Sequence, residues 1–213
     1  MIDDESDLRR VDRLFAGWES APDQLERLRE RLVAEAARAD LLDVAYRVVD
    51  SPVGRLLLAA TGQGLRRVAF AVEGHEAVLA ELARTVSPRL LHAPARLDEV
   101  ARQLDEYFAG RRHGFALPLD RPDGHLFRDR VLAHLTAIGY GRTESYATVA
   151  AAAGSPRAVR AVGTACASNP LPVVVPCHRV VRSDGSAGGY LGGEQAKLLL
   201  LRLEAGGVVG GRR

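Results

Sequence analysis

Apolar positions along this chain recur with different periods in different stretches. Leu8, Val11, Phe15 and Trp18 share one helical face, and Leu25, Leu28, Leu32 and Ala36 share another, so residues 1–43 predict a helical hairpin. Pro22 suits the first turn of its second helix, and Asp23 complements the dipole there. The two stripes are expected to dock on the rest of the protein, a dimer contact being the other use for them. Residues 44–120 change pattern. Residues 45–50 and 56–60 predict strands joined by Ser51-Pro52-Val53-Gly54, and Thr61-Gly62-Gln63-Gly64 predicts a turn into a third strand over 65–71. Helical patterns follow over 75–86 and 96–109. A polar Pro/Gly linker, Asp120 to Gly124, predicts a domain boundary. Residues 124–207 then read as mainly helical, over 125–138, 146–153, 157–168 and 194–205. Gly154-Ser155-Pro156 between two of these helices gives the outline of a helix-turn-helix. Val173-Val174-Val175 reads as a buried strand stopped by Pro176, and 208–213 as a flexible Gly/Arg tail.

Composition narrows the class. The 213 residues, 47% hydrophobic and 26% charged, suit one or two soluble globular domains. No apolar run approaches the roughly 20 residues of a membrane span, and the acidic start Met1-Ile2-Asp3-Asp4-Glu5 lacks a secretory front. Two cysteines, Cys166 and Cys177, are too few for a disulfide framework or a zinc site, and they fit a reducing cytoplasm. His75, His92 and His113 lack ligand spacing. The net charge of +2 conceals an asymmetry: residues 125–213 hold 11 Lys+Arg against 5 Asp+Glu, and residues 1–124 hold 18 against 22. A basic C-terminal half is the footprint expected of a surface that meets phosphates.

The chemistry concentrates in Pro176-Cys177-His178-Arg179-Val180, with Asn169-Pro170 before it and Gly188-Gly189-Tyr190 after it. A Cys at the end of an apolar approach, with a His beside it to draw off the thiol proton, is a candidate nucleophile. Alone, such a pair also fits a small buried hydrophobe next to a surface imidazole. The flanks decide between them. Ser168 to Gly185, Gly188 to Gly193, Lys197 and Glu204, with Thr143 to Ala147 and Gly154 to Gly163 upstream, closely resemble the O6-alkylguanine-DNA alkyltransferases. A looser match covers Tyr107 to Gly110 and Phe115 to Leu119. The resemblance spans about 44–207 and omits the first forty residues.

That resemblance implies an α/β (α+β) fold: a ribonuclease-H-like sheet-and-helix domain, then a helical, winged-helix-like domain carrying the helix-turn-helix. It implies direct repair of double-stranded DNA containing O6-alkylguanine, and of O4-alkylthymine, by irreversible transfer of the alkyl group to Cys177. His178 takes the thiol proton through a water, Glu204 holds the other ring nitrogen, and Tyr146 donates to the departing base. Asn169 positions the turn before the nucleophile. Tyr190, Val180 and Gly192 line the substrate pocket. The target base must leave the stack, with Arg160 filling its place, and Arg128, Ala147, Ser155 and Ser183 lie near the DNA backbone. Neither cofactor nor metal is expected, because the cysteines of the zinc site found in some relatives are missing. A cytoplasmic monomer able to assemble cooperatively on DNA is expected. Leu132 and Gly139 stand where relatives often carry Trp and Pro, and Leu191 where a small residue is frequent. A lesion-sensing protein that binds without transfer is the alternative, and Cys177 argues against it; a Cys-His hydrolase is a third class.

Overall fold

The computed structural model describes residues 21–39, 41–121 and 126–206, so the stripe formed by Leu8, Val11, Phe15 and Trp18 lies outside the described residues. Two units are distinguished, residues 1–42 and 43–213. In the first, helix α1 spans Ala21–Arg38. Leu25, Leu28 and Leu32 are about half exposed, while Ala36 is buried. Arg27, Arg29, Arg31 and Glu35 make so charged a helix compatible with that exposure.

The second unit opens with a four-stranded sheet in the order β3-β2-β1-β4. Strands β1 (Val44–Val49), β2 (Leu56–Thr61) and β3 (Gly64–Phe70) run antiparallel, and β4 (Leu90–His92) lies parallel to β1. The unbroken apolar run of β2 follows from burial on both faces. Leu56 and Leu58 join the main core, and Leu57 and Ala59 the smaller one beneath Val78 and Leu82 of α2 (His75–Thr85). Helix α3 (Asp98–Phe108) buries Val100, Gln103, Leu104 and Tyr107, the i, i+3, i+4, i+7 stripe of an amphipathic helix.

The helical part comprises α4 (Leu126–Ala137), α5 (Tyr146–Ala152), α6 (Val159–Ala167) and α7 (Gly193–Glu204). Ser145 caps α5 by accepting from the Thr148 amide at 3.0 Å. Helices α5 and α6 pack together across the Gly154 turn, the helix-turn-helix read from the sequence. One continuous core includes Leu56, Phe70 and Tyr107 from the sheet part and Val131, Val162 and Leu200 from the helical part. The outer edge of β3 is covered by chain: the Val68 amide donates to Pro170 O at 2.9 Å and the Leu65 amide to Pro118 O at 2.9 Å. The sheet thus grips the segment that leads to Cys177.

One expected strand is absent. Residues 173–175 are buried but form a turn, with the Val175 amide donating to Leu171 O at 2.7 Å. Asn169 overrides the β-propensity of three valines. Its Oδ1 accepts from the Leu171 amide at 3.0 Å and its Nδ2 donates to Val175 O at 2.8 Å, closing the turn from inside. Val173 takes φ = 72°, a left-handed conformation that a β-branched residue rarely adopts.

Candidate active site

A short parallel pair assembles the site. Strand β5 (Glu144–Ser145) pairs with β6 (Val180–Val181), which sets Tyr146, the first residue of α5, close to the 3-10 turn Cys177–Arg179. Cys177, His178 and Asn169 are all buried. Asn169 Nδ2 lies 3.1 Å from Cys177 Sγ, so one amide group holds both the turn and the thiol. His178 makes no direct hydrogen bond to that thiol. Its Nε2 lies 2.9 Å from Glu204 Oε1, and its Nδ1 is buried without a partner. The Glu204 contact inferred from the resemblance is therefore present, whereas the thiol's immediate neighbour is Asn169.

Glu204, at the end of α7, is the most heavily coordinated side chain in the site. Oε1 accepts from the Tyr107 hydroxyl at 2.6 Å and from Arg179 Nη2 at 2.8 Å. Oε2 accepts from Arg179 Nε at 2.9 Å and from the Gly141 amide at 3.1 Å. Burial opposes ionisation of this carboxyl, but the hydrogen bonds from His178, Arg179 and Tyr107 outweigh it and hold the group well below the usual carboxylate range. An ionised carboxylate only accepts, so the proton on the neutral imidazole is assigned to Nε2 and the lone pair to Nδ1. Burial also pushes the His178 pKa down, against the opposing pull of Glu204. Burial pushes the Cys177 thiol up to about 11, opposed by the Asn169 hydrogen bond and by the charge of Lys197. At neutral pH the resting site therefore holds a neutral thiol, a neutral imidazole and a carboxylate.

Beside this cluster lies a cavity of about 360 Å³ lined by Tyr146, Gly163, Cys166, Gly189, Tyr190 and Leu191. Tyr190 stands edge-on to Phe70 (centroids 5.5 Å) and to His178 (6.3 Å). Gly188, at φ = 70°, passes so close to Tyr146 that an added Cβ would sit 3.1 Å from the hydroxyl. The other two expected pocket residues are placed differently. The fully buried Val180 gives its carbonyl to Lys197 Nζ at 2.6 Å, and a Cβ on Gly192 would meet the Phe70 ring at 2.7 Å. Gly192 is thus a packing glycine. Conversely, Cys166, one helical turn from Gly163 on α6, faces the cavity, with burial pushing its thiol up to about 12.

Among the expected DNA contacts, Ala147, Arg160 and Ser183 are exposed and Ser155 is half-buried, on α5, on α6, after β6 and in the helix-turn-helix turn respectively. Arg128 is half-buried and lines cavities near Pro170 with Arg66, Arg67 and Arg121, its Nε 3.9 Å from the Asp129 carboxylate. Tyr107, Arg179 and Lys197 lie in segments that carry the resemblance, but the sequence assigns them no site role. Lys197 is fully buried, with Nζ 5.9 Å from the centre of the Tyr146 ring. The signal for Lys197 was its being the only lysine in the chain, placed on an apolar helix face. Among the described residues, no group of His, Cys, Asp and Glu could hold a metal, and no helix is long and apolar enough to cross a membrane.

Comparison with known proteins identifies the family. The ribonuclease-like domain of 6-O-methylguanine DNA methyltransferase matches residues 44–121, and its DNA binding domain matches 126–206. The methylated-DNA–protein-cysteine methyltransferase of Methanosarcina barkeri is 38% identical over 159 residues, covering 75% of this chain and 96% of that protein. The constitutive enzyme of that name from Bacillus subtilis is 39% identical over 160 residues, covering 75% and 94%. The crystal structure of Mycobacterium tuberculosis OGT in complex with DNA aligns with a TM-score of 0.67 at 38% identity, covering 76% of this chain and 93% of that one. This chain belongs to the 6-O-methylguanine DNA methyltransferase family.

Proposed function

We propose that this protein repairs alkylated double-stranded DNA by moving the O6-alkyl group of guanine, or the O4-alkyl group of thymine, onto Cys177. The observation that carries the reading is the buried Cys177 thiol, held by Asn169, next to a His178–Glu204 pair and an aromatic-walled cavity. The extruded base enters that cavity between Tyr146 and Tyr190. His178 Nδ1 accepts the thiol proton through a bridging water, and Glu204 stabilises the imidazolium that forms. The sulfur attacks the alkyl carbon, forming an S–C bond as the O6–C bond breaks. The electron pair stays on the departing base, and Tyr146 donates a proton to its edge. The product is a thioether, and no neighbouring group can reverse it, so each molecule acts once. Asn169 keeps the sulfur in line. Arg160, exposed on α6, fills the space left by the base, and Ala147, Ser155, Ser183 and Arg128 face the backbone.

Incubation with duplex DNA containing O6-methylguanine followed by intact-mass and peptide analysis tests this directly. One added methyl group per protein, on Cys177 and absent from Cys177→Ser, is expected. Label on Cys166, or many turnovers per protein, would refute it, and tight binding to the lesion without any label would favour a sensor.

A further inference from the structure

Tyr107 belongs to the sheet part of the protein, yet its hydroxyl ends on the carboxylate of the alkyl-transfer site. It sits on the last turn of α3, fully buried, with Phe108, Phe115 and Tyr140 ringed about it at centroid distances of 5.4, 5.3 and 6.1 Å. Its oxygen is 2.6 Å from Glu204 Oε1 and 3.4 Å from His178 Nε2. The short contact takes the phenol proton; the long one is too far to compete. Tyr107 and His178 therefore donate to the same carboxylate oxygen.

We propose that Tyr107 is a positioning residue that sets the basicity of His178 through Glu204. Each donor on Oε1 draws off part of the negative charge that would otherwise stabilise the imidazolium. Arg179 does this from one side and Tyr107 from the other. Burial, with the nearby Glu204 charge, raises the Tyr107 pKa far above the ordinary phenol value, so the hydroxyl stays a donor at every working pH. The outcome is an imidazole that stays neutral at rest, its Nδ1 lone pair open to accept a proton. The remaining groups facing the imidazole are Arg179 and Cys177 on its own turn, Lys197 on α7, and Tyr190 from the loop after β6. None of them donates to Oε1 except Arg179.

The role in catalysis rests on the transfer reaction proposed above; the effect on His178 does not. Two readouts separate them: the titration of His178 followed by NMR, and the pH profile of transfer from free O6-benzylguanine. Tyr107→Phe should raise the His178 pKa by about one unit, the size of one lost charged hydrogen bond. The acid limb of transfer should move up with it, while the plateau rate stays within about threefold. Replacing Tyr107 with 3,5-difluorotyrosine keeps the shape, strengthens the donor and should move both readouts the other way, which covers the case of a poorly folded Phe variant. Val78→Ala, in the separate small core, loses stability but should leave the titration in place. Unmoved His178 titration in both Tyr107 variants would overturn the proposal. A wild-type protein that fails to transfer would instead sink the reaction, with the titration still deciding the role of Tyr107.

Discussion

Asn169 serves three partners with one amide: the Leu171 amide, the Val175 carbonyl and the Cys177 sulfur. Removing it strands two buried backbone groups and frees a turn that holds Val173 at positive φ. Asn169→Ala should cost about 2–3 kcal/mol by denaturant unfolding, within the range for losing buried hydrogen bonds. It should also slow transfer from O6-benzylguanine, because the Asn169 hydrogen bond to the sulfur opposes the effect of burial on the Cys177 thiol. Unchanged stability with normal transfer would show that the turn holds itself. At this scale the sequence was uneven. Cys177, His178 and Asn169 stand within a single motif and could be read together. Tyr107 meets Glu204 across 97 positions of chain, and no local pattern announces such a contact.

Among the elements, the helices of the second unit were legible because their apolar periodicity is sustained; α2, α3, α4, α5, α6 and α7 begin and end within about two residues of expectation. The strands β5 and β6, two residues each, carry no period to detect, yet their pairing brings Tyr146 towards Cys177. The three valines before Pro176 misled for a different reason. An apolar run suits a buried strand or a buried turn equally, and a side chain outside the run made the choice. Helix α6 carries the test of DNA handling. Arg160 is exposed there and makes no ion pair with the described residues, while Cys166 on the same helix lines the cavity. Arg160→Ala should slow repair of duplex substrate at least tenfold more than reaction with the free base, since only the duplex requires extrusion. Equal losses on both substrates would remove Arg160 from that role.

For the molecule as a whole, Glu204 joins α3, the turn at Gly141, the active-site turn and α7. Its folded pKa is depressed, so its contribution to stability is complete above the unfolded value, about 4.3, and is lost as pH falls toward the folded one. His178 has the same sign: its folded pKa lies below the unfolded value of about 6.5, so acid favours the unfolded chain from there downward. Unfolding free energy should therefore fall in two stages between pH 7 and pH 3. Glu204→Gln should flatten the lower stage and lower stability at pH 7 by about 3 kcal/mol, because Arg179 keeps its burial and loses its counter-charge. Urea titrations at stepped pH would read both, and identical pH profiles for the two proteins would rule out Glu204 as the acid-sensitive link.

The depth of Cys177 bears on how long the protein stays usable. Under the single transfer proposed above, the protein has value only while its sulfur is unspent, and cells hold peroxides and stray electrophiles that consume thiolates in solution. Here the sulfur is buried and protonated at rest, and in the proposed reaction it becomes nucleophilic only when a proton can leave toward His178. The same burial that makes the thiol a poor nucleophile in waiting gives each copy its shelf life, and leaves the arrival of the right base as the event that discharges it.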